Sequence, residues 1–198
     1  MKILLIILGS LALLVIMFQI ATTIYTSRTE QQSYRLVKRD GDIEIRLYPE
    51  AVMATAVSVF DTYKESANAN FGRLAGYIFG GNKQAEKIGM TAPVHMDLIT
   101  NGSSMSFVMP SRYKQDQLPL PNDDSITLRG TPPEYVAAVR FGGFASDADI
   151  RARREAITRM LESKGIQQRG NFRFLGYNPP FQWFGRRNEV IVGVEWQE

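Results

Sequence analysis

The stretch EYVAAVRFGGFASDADIRARREAITRMLESKG, residues 134–165, reads as a strand, a break and a capped helix in succession. Tyr135, Ala137, Val139 and Phe141 fall on one face of the strand, because side chains alternate along an extended chain. Gly142-Gly143 interrupts it. Ser146 and Asp149 have capping-box spacing, Ile150, Ile157, Met160 and Leu161 form an apolar stripe of helical period, and Gly165 is placed to end the helix. Strands resume at FRFLGY (172–177) and at EVIVGVEW (189–196), where Val190, Val192, Val194 and Trp196 share a face. The same order occurs upstream. IEIRLY (43–48) alternates apolar and polar residues, and AVMATAVSVF (51–60) is small and β-branched, so two strands are expected to meet at a Pro49 turn. Thr62 and Glu65 again have capping-box spacing, and Phe71, Leu74, Ala75, Ile78 and Phe79 recur at helical intervals until Gly80-Gly81, predicting a helix over roughly 62–79. Strand, helix, strands, twice, predicts an α+β domain: a pseudo-duplicated, curved antiparallel sheet or distorted β-barrel flanked by two helices. A plain split βαβ sandwich is the alternative.

Composition excludes several chemistries. The chain has 198 residues, 44% of them hydrophobic and 22% charged, which is the profile of one folded domain with an appended segment. Without cysteine there are no disulfides, thiolate metal sites or cysteine nucleophiles, and with one histidine, His95, a serine triad or polyhistidine centre lacks its parts. No acid–base pair or nucleophile with its base stands out, so an enzyme is not expected. The net charge of +3 falls to +2 when Lys2 is set aside, and acids interleave the basic residues of the last third, so no nucleic-acid partner is expected.

Ile3 to Tyr25, ILLIILGSLALLVIMFQIATTIY, carries no charge and is long enough to cross a hydrocarbon core about 30 Å thick. Residues 1–25 are therefore expected to be a transmembrane signal anchor, with a cleaved signal peptide as the competing reading. FQIATTIYTS (18–27) offers no good A-x-A cleavage site. The protein is expected to be single-pass, with its domain on the periplasmic or extracytoplasmic side, although Arg28, Arg35, Lys38 and Arg39 argue for the opposite orientation. Residues 26–33 read as a polar linker and 34–198 as the domain.

Four local runs converge: IGMTAPV (88–94), FVMP (107–110), RFGGFA (140–145) and GYNPPFQWFGRRNEV (176–190). With them the chain from Tyr34 to Trp196 resembles the SOUL, or haem-binding protein, family. The resemblance implies a distorted antiparallel β-barrel with two long helices and pseudo-two-fold symmetry, and noncovalent binding of haem or another tetrapyrrole in a shallow cleft beside the first domain helix. Haem needs an apolar slot, cations for its propionates and, optionally, an axial ligand. Phe71 and Leu74 are candidates for covering the macrocycle and Lys64 and Arg73 for meeting the carboxylates; periodicity alone makes Phe71 and Leu74 core residues. Trp183, Phe184 and Arg186 belong to an aromatic, doubly basic loop that either clamps a flat anion or, beside a membrane, touches lipid. Arg187 and Glu189 are expected to tie that loop to the sheet. His95 is the one candidate for nitrogen ligation of haem iron, yet the alternation Val94, Met96, Leu98 predicts that it faces solvent. A non-haem scaffold resembling the effector-binding domains of bacterial regulators is the alternative function, favoured by an acidic residue at the floor of an aromatic pocket.

Overall fold

The computed structural model describes residues 2–58, 63–98 and 103–197, without the side chains of 63–67, 98 and 103. The second-half helix forms where its signals lie, as α3 (Asp147–Lys164). The Ser146 hydroxyl accepts from the Asp149 amide and the Asp149 carboxylate accepts from the Ser146 amide. Gly165 ends the helix at φ 65°, a left-handed conformation that glycine adopts without steric cost. The first-half helix is α2 (Tyr63–Ile78); Thr62, its expected cap, lies outside the described residues. Ahead of both, α1 (Lys2–Arg28) is one uninterrupted helix whose most apolar 18-residue stretch has a mean hydropathy of 2.8, long enough to cross a membrane.

The strands are β1 (Glu30–Gln31), β2 (Arg35–Asp40), β3 (Ile43–Tyr48), β4 (Ala51–Ser58), β5 (Thr91–Ala92), β6 (Val94–Leu98), β7 (Ser103–Val108), β8 (Ile126–Thr131), β9 (Glu134–Phe141), β10 (Gln168–Gly176) and β11 (Asn188–Val194). Nine of them make one antiparallel sheet in the order β2-β3-β9-β11-β10-β6-β7-β4-β8. Outward from the central β10–β6 pair the order runs β11, β9, β3 on one side and β7, β4, β8 on the other, with β2 added beyond β3. The expected distorted barrel is not closed: among the described residues no pairing joins β2 to β8. The sheet nevertheless curls, because only Pro49 and Glu50 separate the end of β3 from the start of β4, a link that spans at most about 11 Å. These two strands meet at Pro49 as expected but do not pair; β3 lies against β9, and β4 against β7 and β8.

Both faces of the sheet are covered. Leu74, Tyr77 and Ile78 of α2 and Ile150, Ile157 and Leu161 of α3 bury one face with Ala54, Met96, Phe107, Val139, Phe174 and Val192. The other face carries Tyr48, Val136, Ala138, Leu175, Tyr177 and Ile191, with Tyr34 packed on them. The expected linker is absent as such: residues 26–28 complete α1, and 29–33 run into Tyr34 as a strap across this second face. β1 pairs in parallel with β5, and the Gln32 amide donates to the Ala92 carbonyl at 2.8 Å. A polar composition predicts a linker; backbone hydrogen bonding to a free sheet segment overrides it.

Candidate functional site

The outer surface of α2 departs from the usual polar helix face. Leu74, Tyr77 and Ile78 point into the core, so the last two turns present Gly72 and Gly76 to solvent, flanked by Phe71 and Arg73. Asn68, one turn earlier and also exposed, closes this bare stretch at its amino-terminal end. Phe79 follows the helix directly, its amide still donating to the Ala75 carbonyl at 3.0 Å. Phe71 is 44% and Phe79 65% exposed. A Cβ built at Gly72 or Gly76 meets nothing, so no neighbouring group requires a glycine there, while each weakens the helix by about 1 kcal/mol relative to alanine. Phe71 is held by an edge contact to the buried Phe107, ring centroids 5.3 Å apart. The sequence candidates on this helix thus separate: Phe71 and Arg73 are at the surface, Leu74 is wholly buried in the core, and the Lys64 side chain lies outside the described residues.

His95 faces the second side of the sheet, as its alternation with Met96 requires, but it is not solvated. It is 4% exposed beneath the strap, with Nε2 donating to the Gln32 side-chain oxygen at 2.8 Å. Burial, with the Arg173 charge adding, pushes its pKa down to about 3, so the ring is neutral. The expectation of a solvent-facing histidine fails because it assumes a sheet with one dry face. Nδ1 is buried without a hydrogen-bond partner.

Along the same face lies a buried ionic cluster that strand patterning does not disclose. Arg46, 2% exposed, donates through both terminal nitrogens to the wholly buried Glu189 at 2.7 and 3.2 Å. The Tyr177 hydroxyl donates to Glu189 at 3.0 Å and Arg187 at 2.8 Å. Arg46 stacks 4.1 Å from the Tyr34 ring and Arg187 3.9 Å from that of Tyr177. Burial and the nearby Glu189 charge push the Tyr48 phenol up to about 12. Arg187 and Glu189 do tie the loop to the sheet, as expected. The missed partner is Arg46, whose place in an alternating strand gives the reading of an exposed charge.

The aromatic loop between β10 and β11 is closed by its own polar groups. Arg186 donates to the Pro179 and Gln182 carbonyls at 2.7 and 2.8 Å and lies 4.5 Å from the Phe144 ring. Phe181, Trp183 and Phe184 remain about half exposed or more and stand beside α1. Trp183 and Phe184 line a groove of about 750 Å³ whose other wall is Leu8 to Ile24 of that helix. None of its lining comes from α2, so the structure divides the expected haem residues between two places. Among the described residues no group of three acidic or histidine side chains is set to hold a metal ion.

Comparison with known proteins agrees with this architecture. The SOUL heme-binding protein family matches residues 29–193. Heme-binding protein 1 of Sus scrofa is 29% identical over 160 residues, covering 77% of this chain and 84% of that protein. Heme-binding protein 2 of Mus musculus is 30% identical over 160 residues, covering 76% and 77%. Among solved structures, the C-terminal domain of EcmrR superposes with a TM-score of 0.61 at 10% identity, over 78% of this chain and 98% of that one. A hydrolase from Listeria innocua superposes at 0.55 with 7% identity, over 80% and 94%; at such identities these two establish the fold alone. Family and relatives are named for binding haem and not for a reaction, in keeping with a chain whose sequence offers no catalytic constellation. By a match that takes in both halves of the sheet, both packed helices and the aromatic loop, the chain belongs to the SOUL haem-binding protein family.

Proposed function

We propose that the chain is a membrane-anchored tetrapyrrole-binding protein that takes haem or a porphyrin reversibly, for buffering or delivery, on the outer face of α2. The observation that carries this reading is a stretch of helix turned to solvent yet almost flat, with Gly72 and Gly76 between Phe71 and Phe79 and with Arg73 at its margin. A macrocycle needs a broad apolar contact without protruding side chains, and its propionates need a cation. Family membership supports the ligand class. With His95 buried and bonded to Gln32, the grip comes from macrocycle and propionate contacts rather than from nitrogen ligation, which suits release. The symmetric strand order supports reading the domain as a pseudo-two-fold duplication.

The anchor reading is supported by α1 itself, whose last turns are hydrogen-bonded to the domain through Gln19 and Thr26; a cleaved leader has no use for such bonds. An extracytoplasmic domain follows the signal-anchor pattern of a short positive amino terminus, against the charge of Arg28, Arg35, Lys38 and Arg39 on the other flank. The alternative is a non-haem small-molecule or protein-binding scaffold resembling regulator effector-binding domains, and its form with cationic ligands is disfavoured by Glu189. It is an acid among the aromatics Tyr34, Tyr48 and Tyr177, but Arg46 and Arg187 already neutralise it.

The test is a haemin titration of the full chain in nanodiscs, followed in the Soret region, beside a Gly72→Gln/Gly76→Gln variant and a His95→Gln variant. Saturable 1:1 binding, weakened about tenfold or more by the glycine pair (about 1.4 kcal/mol) and unchanged in His95→Gln, is expected. Because glutamine is a better helix former than glycine, loss of binding in the glycine variant is not loss of fold. No saturable binding, or binding indifferent to the glycine pair, overturns the reading.

A further inference from the structure

Gln19 is the one side-chain amide inside the uncharged run of α1 from Ile3 to Tyr25, and in hydrocarbon an unsatisfied amide is costly. Here it is satisfied in both directions by the aromatic loop. Its nitrogen donates to the Phe181 carbonyl at 3.0 Å and its oxygen accepts from the Trp183 amide at 2.9 Å, leaving the side chain buried. Phe18 adds a ring contact to Phe181 at 5.8 Å, and Thr26 donates to the Gln182 side chain at 2.7 Å.

Much of the loop's own backbone is paired as well. Pro179 and Pro180 have no N–H to satisfy. The carbonyls of Pro179 and Gln182 accept from Arg186, that of Phe184 from the Gln182 side chain, and the Arg187 amide donates to Asn178. Pairing of this kind is what irregular backbone needs where it meets the hydrocarbon of a bilayer. What the loop turns outward is Phe181, Trp183 and Phe184, the last 69% exposed. Gln19 precedes Tyr25 by six residues, about 9 Å along the helix. That is the depth, about 5–10 Å below the headgroup–acyl boundary, to which the apolar side chains of interfacial elements reach.

Resting on the reading of α1 as a membrane span, we propose that the loop 178–187 is a second membrane contact. It lays Phe181, Trp183 and Phe184 into the interfacial layer of the leaflet from which the domain emerges, with Gln19 fixing its depth. The groove between Trp183, Phe184 and α1 is then filled by acyl chains of that leaflet, being continuous with the lipid-facing surface of the span. The domain is held on the bilayer at two points, and so in one orientation.

The experiment uses the full chain carrying Trp196→Phe, so that Trp183 is the sole tryptophan, in phosphatidylcholine vesicles containing lipids brominated at shallow or deep acyl positions. Quenching of Trp183 by the shallow bromines more than by the deep ones, with protection from aqueous iodide, is expected. In Gln19→Leu, which makes the span more apolar, the chain stays in the membrane while quenching falls and iodide access rises. Iodide access without bromine quenching in vesicles that retain the chain through alkaline extraction overturns the proposal and leaves the anchor standing. Release of the chain by alkaline extraction instead overturns the anchor. Quenching unchanged in Gln19→Leu removes Gln19 as the clamp and overturns that part.

Discussion

Because His95 is buried neutral, acid should destabilise this domain earlier than its carboxylates would. An unfolded histidine takes up a proton near pH 6.5, whereas the folded one, pushed down to about 3 by burial beneath Gln32 and by Arg173, refuses it. Between those values the unfolded state binds one more proton than the folded state, so stability falls as pH falls, by about 1.4 kcal/mol per unit. From pH 6.5 to pH 5 the loss is about 2 kcal/mol from this residue alone, a sizeable share of the stability of an ordinary domain. His95→Gln keeps a donor for Gln32 and has nothing to titrate. Urea unfolding of the full chain in detergent micelles at pH 7, 6, 5.5 and 5, wild type beside His95→Gln, measures the difference directly. Wild type should lose about 2 kcal/mol more than the variant across that range. Parallel curves would mean that the histidine is hydrated or that the strap opens, and would refute the reasoning.

Glu189→Gln leaves Arg46 and Arg187 sharing a neutral amide in a dry setting and should cost about 3–5 kcal/mol. The same unfolding assay checks it, and an added Arg46→Met should recover part of the loss if the two residues act as a pair. Ser146→Ala removes the side chain that caps α3 and should cost about 1 kcal/mol, read as a lower urea midpoint with an unchanged slope.

Period and punctuation make much of the fold legible. The α3 caps and apolar stripe and the strands around them lie where residue spacing puts them, because each signal is local; the α2 stripe holds only at Leu74, Ala75 and Ile78, Phe71 and Phe79 being exposed. What escapes depends on partners far away in sequence. Arg46 and Glu189 are 143 residues apart, and an alternating strand looks the same whether its second face is wet or dry. His95 is misplaced for that reason: the strap that dries its face comes from residues whose composition suggests a tether. Barrel closure is over-read, since hydrogen-bond closure between edge strands has no local signal. At the candidate site Phe71 and Arg73 are legible as positions on a helix, but that Gly72 and Gly76 lie bare on its solvent side is shown only by the structure. Gln19 does carry a signal, a lone amide in an apolar run, though nothing in the sequence points to Phe181 and Trp183 as its partners.

The short proline links bear on how the chain is born. β3 and β4 are neighbours in sequence but are completed by β9 and β8, which are themselves joined through Pro132-Pro133. While the first half emerges from the ribosome, both strands wait with open edges for residues 126–141. Open edges are sites of misassociation. On the proposed reading of α1 as an anchor, a nascent chain makes this wait confined to the membrane surface, beside other copies in the same state, so that crowding during synthesis acts on its yield.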